Sequence, residues 1–213
     1  MIENNNNNKG VSKQLAFAIS GVALLIIAVA GSAYAYFVAS ATSDGGVSGT
    51  TLNVKLDKPT VELVSKNATG GLIPIYDGTV TGHESQLSAA ASAANQCVDK
   101  NGYTVCKVYK ISVKNSGTTA TTVNTTLNLN NGGVANIKWA RMTSTTAVDT
   151  TLPTNNTIST GKSLGAKATL VQYIMVYLKN TGADQTSTDA GKTISGTVTV
   201  TASTGSQVQA TFQ

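Results

Sequence analysis

One histidine, two cysteines and ten acidic side chains are all that this chain of 213 residues offers for a catalytic or metal site. A hydrolytic zinc needs three protein ligands and an open position, often signalled by His-Glu-x-x-His on a helix. Here His83 is followed by Glu84, and there is no second imidazole. Ser-His-Asp chemistry would also have to use His83, yet Thr81-Gly82-His83 carries no nucleophile elbow and no partner at a recognisable spacing. His83 therefore reads as a surface loop residue. Asp184 and Asp189 border a loop whose carboxylates and carbonyls could hold calcium, but their spacing lacks the alternation and terminal Glu of an EF-hand, and turn chemistry explains them more simply. The Asn-x-Thr sites at Asn67, Asn124 and Asn155 occur in a sequence so rich in both residues that chance accounts for them. The expectation is a chain with no catalytic residue, no metal ligand and no cofactor.

The cysteines carry a different chemistry. Between Cys97 and Cys106 stands Asn101-Gly102, a strong hairpin signal because a type I′ turn needs positive φ at both central positions. Counting outward pairs Lys100 with Tyr103, Asp99 with Thr104, Val98 with Val105, and Cys97 with Cys106 in a close, non-hydrogen-bonded pair. A disulfide is the expected outcome in an exported chain, since zinc would require two further ligands. It closes a short ring, so its stabilisation is local, about 2 to 3 kcal/mol.

Export is read from the N-terminus. Lys9 and Lys13 precede an apolar run from Leu15 to Ala30, and Gly31-Ser32-Ala33-Tyr34-Ala35 supplies small residues at the positions that signal peptidase accepts. Cleavage is expected between Ala35 and Tyr36, dividing the chain into a signal peptide (1–35), an N-terminal extension (36–48) and a folded domain (49–213). Two other readings apply to the same segment. The absence of charge between Lys13 and Asp44 suits a retained membrane helix, being longer than the roughly 20 residues a bilayer requires. A pilin-like leader cut after Gly10 would instead keep the helix from Val11 as a filament core, although the acidic residue usual five positions on is absent at Leu15-Ala16.

The rest of the chain reads as strands. Only 12% of residues are charged and 5% aromatic, and Thr, Ser, Gly and Asn dominate, a balance that suits exported all-β chains. Period-2 alternation marks 49–56, 108–114, 121–129, 137–142, 164–170, 172–178, 194–202 and 208–212, with shorter candidates around Val61 and at 72–76. The alanine-rich stretch 84–94 is the one expected helix of the domain. Many short strands with no alternating helices point to an antiparallel, jelly-roll-like β-sandwich behind the N-terminal hydrophobic helix. Loss of Lys9, Lys13 and Glu3 with the leader takes 15 basic and 10 acidic groups to 13 and 9, a net +4. These charges are scattered and make no nucleic-acid footprint.

Several separated pieces of the chain resemble the TasA/camelysin family of exported β-sandwich proteins processed by a SipW-type signal peptidase. They are Ala33-Tyr-Ala-Tyr-Phe37 with Gly49-Thr-Thr-Leu52, Tyr109-Lys-Ile-Ser-Val-Lys-Asn-Ser-Gly117, and Tyr173-Ile-Met-Val-Tyr-Leu-Lys-Asn180 followed by Asp189-Ala-Gly-Lys-Thr-Ile-Ser-Gly-Thr-Val-Thr-Val-Thr201. Val38 departs from the Asp or Asn that often follows the Phe. The resemblance implies a jelly-roll subunit of extracellular fibres or biofilm matrix, assembled as a homopolymer by donation of the mature N-terminal segment to a neighbour. The donor strand would be Tyr36, Phe37, Val38, Ala39, Ser40, Ala41 and Thr42, uncharged and with Phe37, Ala39 and Ala41 on one face. Its partners would be neighbouring subunits and the signal peptidase, with membrane contact only through the unprocessed N-terminus. Camelysins have also been described as metallopeptidases, the third expectation, which the lone His83 argues against.

Overall fold

Alternation of Val, Leu and Ile with Thr, Asn and Lys produces eight strands in the computed structural model, which describes residues 53–66, 71–183 and 191–213. The expected signal peptide, the Ala35–Tyr36 cleavage site, the donor segment to Thr42, Asn67, Asp184 and Asp189 lie outside the described residues. The strands are β1 (Thr60–Leu63), β2 (Cys106–Lys114), β3 (Thr121–Asn130), β4 (Ile137–Met142), β5 (Thr157–Leu164), β6 (Thr169–Leu178), β7 (Ser195–Ala202) and β8 (Gln207–Phe212). They form two four-stranded sheets, ordered β1-β2-β6-β4 and β5-β3-β7-β8, with every neighbouring pair antiparallel. The expected all-β sandwich is the observed fold.

The main core lies between the sheets. Tyr109, Ile111 and Val113 of β2 and Ile174, Val176 and Leu178 of β6 meet Val123 and Leu127 of β3 and Val198, Val200 and Ala202 of β7. Each set follows the two-residue period that puts one face of a strand inward. Arg141 joins the layers at one side, donating from Nη2 to the Thr157 carbonyl at 2.8 Å and from Nε to the Ile158 carbonyl at 3.1 Å.

A second core covers the outer face of the first sheet. The chain between β1 and β2 folds back over that face through a short helix, α1 (Leu87–Ala91), and the cysteine hairpin. There Leu87, Ala91, Cys97 and Cys106 pack on Val108, Met175 and Tyr177, the residues of β2 and β6 that point away from the main core. The Cys106–Val108 and Met175–Tyr177 end of the β2–β6 pair is therefore buried on both faces, while the outer face opens toward Lys114 and Val171.

Four expectations need correction. Residues 53–56 do not form a regular strand; Leu56 makes one bridge to Asn115 before Pro59 interrupts pairing. Residues 72–76 also lack a regular strand, holding only the parallel bridge Ile75 to Lys179. The helix covers five residues rather than eleven, because the chain turns at Ser92 to deliver Cys97 to the core. Leu164–Leu170 is not one strand but the end of β5, a turn over 165–168 and the start of β6, with Lys167 at φ 59° and the Ala168 N–H donating to the Gly165 carbonyl. The strand before that turn is β5, which a sequence with few apolar residues and a bulge at Gly161 conceals.

Gly196 shows how closely the second sheet is packed. A Cβ at this position would run into the Phe212 ring and approach Leu127. Gly196→Ala is expected to cost about 1 to 3 kcal/mol of stability. In a Phe212→Leu background the added cost should be much smaller, because the two changes share one contact. Equal costs in both backgrounds, measured by chemical denaturation, would contradict this packing.

Candidate functional site

The segment that continues the N-terminal extension is fixed to the domain by one buried amide. Asn115, fully buried at the end of β2, accepts from the Gly117 N–H at 3.0 Å and from the Lys55 N–H at 3.4 Å. Its Nδ2 donates to the carbonyls of Thr119 at 2.8 Å and Gly165 at 3.2 Å. Lys55 and Asn53 return the contact through their carbonyls, which accept from the N–H groups of Ser116 and Thr118. Gly117 permits this approach, since any Cβ there would strike the Asn53 carbonyl. The base of the expected connector is thus clamped to two sandwich turns.

The cysteine hairpin closes as a disulfide, but in a different register from the one counted above. Val98 pairs with Thr104, and the Val105 N–H donates to the Cys97 carbonyl at 2.9 Å. The turn is not type I′. Gly102 has φ 87° whereas Asn101 is not left-handed, and the Gly102 N–H donates to the Asp99 carbonyl at 3.0 Å. This is a type I turn closed by a left-handed Gly, which inserts one more residue than the two-residue turn. The Asp99 carboxylate selects it by accepting from the N–H groups of Asn101 and Tyr103 at 2.9 and 2.8 Å. Gln96 and Cys97 take φ of 49° and 68°, absorbing the shift and bringing the two sulfurs together with the Cα atoms 4.8 Å apart.

A polar cluster that the sequence reading did not identify sits beside this second core. The Tyr177 hydroxyl donates to Asp77 Oδ2 at 3.1 Å, and Thr79 donates to Asp77 Oδ1 from its hydroxyl at 2.6 Å and its N–H at 3.1 Å. Lys179 Nζ lies 3.9 Å from Asp77 Oδ2. Burial alone would raise the Asp77 carboxyl, but the Thr79 hydrogen bonds, the Lys179 charge and the Tyr177 hydroxyl outweigh it and hold it below its ordinary value. Burial, and then the Asp77 charge, push the Tyr177 phenol well up. Both groups stay in one protonation state across neutral pH, so the cluster is a rivet between 77–79 and the end of β6. His83 stacks on Tyr76, with ring centroids 3.9 Å apart, in an exposed loop as expected. Among the described residues no His, Cys, Asp and Glu group could hold a metal, and no helix is long and apolar enough to cross a membrane.

The four sheet edges differ in how they are guarded. β1 is four residues long, carries Glu62 and follows Pro59. β4 carries Lys138 and Arg141, and β5 carries Lys162 and its bulge. Charge, proline and bulges are the devices that stop edges pairing with other chains. β8, Gln-Val-Gln-Ala-Thr-Phe, has none of them. The turn bond from the Ala202 N–H to the Ser206 carbonyl sets the ladder phase. Hydrogen-bonded pairs then recur at Val200–Val208 and Val198–Ala210, which turns the N–H and C=O groups of Gln207, Gln209 and Thr211 toward the free edge. At its C-terminal end lies a cleft of about 260 Å³ lined by Leu72, Tyr109, Val176, Ile194 and Gln213.

The sequence matches no protein-family model and no curated protein. Among solved structures, the chain is similar to a FixG-related protein from Vibrio parahaemolyticus, at 11% identity and TM-score 0.30, over 73% of this chain and 95% of that one. It is also similar to a family 123 glycoside hydrolase from Clostridium perfringens, at 12% identity and TM-score 0.29, over 50% of this chain and 20% of that one. Likeness at this level carries no functional argument.

Three substitutions at two residues test the site. Asn115→Ala leaves buried donors and acceptors unpaired and should cost about 3 kcal/mol; Asn115→Asp, which keeps one acceptor but turns a carboxylate oxygen against the Thr119 and Gly165 carbonyls, should cost at least as much. A loss below about 1 kcal/mol for the alanine variant would remove the clamp. For Asp77 the folded value is depressed, so its contribution is present above the ordinary carboxylate range near pH 4 and is lost as pH falls through the lower folded value. Asp77→Asn should therefore flatten the acid limb of stability against pH; an unchanged limb contradicts the assignment.

Proposed function

We propose that this chain is an exported structural subunit of an extracellular fibre or biofilm matrix. Subunits polymerise when Tyr36–Thr42 of one adds as a strand to the β8 edge of the next. The observation that carries the reading is β8 itself, the one edge among the described strands with no charge, proline or bulge. Strand addition needs such an edge: main-chain bonds supply affinity and alternate side chains supply register. The donor matches it in character, being uncharged and seven residues long against the six of β8.

Export fits the rest of the molecule. A disulfide between two wholly buried cysteines suits an oxidising compartment. The Asn115 clamp holds Asn53 and Lys55, which follow the expected extension 36–48 in sequence, so a donor strand would lead into a fixed base. Removal of the apolar leader between Ala35 and Tyr36 would free that strand only after translocation, keeping assembly outside the cell. The sparse titratable chemistry, with a stacked His83 and a wholly satisfied Asp77, supports a structural role rather than hydrolysis.

Gln209→Pro tests the edge directly. It removes an N–H that points away from β7, so the domain should stay folded while filaments are lost, as judged by circular dichroism and electron microscopy. Deleting Tyr36–Thr42 should give the same folded, non-polymerising product. Filaments that persist in the proline variant exclude β8 as acceptor, and filaments that persist in the deletion exclude this donor.

A further inference from the structure

The second sheet has an outer face unlike any other surface of the described domain. β3, β7 and β8 together contain no charged residue, and β5 contains only Lys162. The charged strand residues Glu62, Lys107, Lys110, Lys114, Lys138 and Arg141 all belong to the other sheet. At the centre of the outer face Thr126 stands opposite Thr199, with Asn124 opposite Thr201 and Asn128 opposite Thr197. Gln209 and Gln207 extend the rows beyond Thr199 and Thr201. Nothing among the described residues packs on this face, while the corresponding face of the first sheet is covered at its Val108 and Met175 end by α1 and the cysteine hairpin.

We infer that this face is a self-association surface whose occupant is the same face of a second copy. Charge sets the first constraint on the occupant. The chain is net positive, so two copies approaching through most of their surface repel, and an uncharged face removes that cost. The absence of charge also gives a strongly acidic or basic partner nothing to pair with. Hydrogen bonding is self-complementary, because every Thr hydroxyl and every Asn or Gln amide both donates and accepts. A two-fold contact, which presents identical groups to each other, can therefore be satisfied without a second kind of surface. Aromatic platforms, on which a sugar ring would stack, are missing from these rows.

Size sets the strength of the contact. Four strands about 4.8 Å apart and some six residues long make a patch on the order of 400 Å² per copy. A stable interface buries about 800 Å² per partner, so this one is weak between free molecules. It becomes effective where many copies are already aligned, since repeated weak contacts add through effective concentration. Side-by-side association of assembled copies is the setting in which such a face acts.

The test uses the full-length protein in nonionic detergent, so it does not require filaments. The native cysteines are buried in their disulfide, so an introduced cysteine is the one reactive thiol. Thr126→Cys should form covalent dimers with a short bismaleimide several-fold faster than Val171→Cys, an exposed position on the other sheet. Adding Thr199→Lys to Thr126→Cys should bring the rate down to that of the control. Equal rates for Thr126→Cys and Val171→Cys overturn the inference. Dimerisation insensitive to Thr199→Lys also overturns it, as does a face that retains the protein on a polysaccharide column without cross-linking, which would identify carbohydrate as the occupant.

Discussion

Pairing of β2 with β6 over nine residue partners, Cys106–Tyr177 to Lys114–Thr169, is the constraint on which the rest of the structure depends. The two strands present apolar residues on both faces. Their inner residues need the second sheet, and their outer residues need another cover. That cover is the long excursion between β1 and β2, and it can lie flat only because α1 stops at Ala91 and the cysteine hairpin folds down onto Val108 and Met175. Breaking the β2–β6 register by one residue would exchange the two cores and leave neither satisfied.

With the outer face of the first sheet covered at one end by this excursion, the second sheet is left to meet the surroundings. The second sheet's inner face supplies Val123, Leu127, Val198 and Val200 to the main core, and its outer face and β8 edge are uncharged. Solubility normally calls for charge at such places. Its absence here, alongside guarded edges at β1, β4 and β5, is the pattern expected of a subunit that uses one edge and one face for contacts with others. The Asn115 clamp and the Asp77 rivet keep the surrounding loops fixed, so the edge and face are presented by a rigid body.

Much of the fold was legible in the sequence because period-2 alternation reports a strand with one buried face. β3 and β7, with Val123, Leu127, Val198 and Val200 alternating with Thr and Asn, are the clearest cases. β5 was missed because an edge strand with a bulge and few apolar residues has no period to read. Residues 53–56 alternate correctly and 72–76 form an apolar run, yet Pro59, Pro74 and the short reach of each segment leave them single bridges. The hairpin failed in register because Asn-Gly fits two turns, and the Asp99 carboxylate two residues upstream decides between them. Asn115 and Asp77 were invisible as hubs, since each also depends on a group far away in sequence, the Gly165 carbonyl 50 residues from Asn115 and the Tyr177 hydroxyl 100 residues from Asp77. The one signal for Asn115 was its place in Asn-Ser-Gly, where Gly117 is required by the close approach of Asn53.

In the proposed assembly an export-processed N-terminal strand completes the β8 edge of a neighbour. A cryo-electron microscopy reconstruction of the extracellular form tests this most directly. The expected result is a ninth strand, Tyr36–Thr42 of the adjacent subunit, hydrogen-bonded along Gln207, Gln209 and Thr211. A reconstruction with β8 bare, or one showing isolated molecules that still carry the apolar N-terminal stretch, would contradict it.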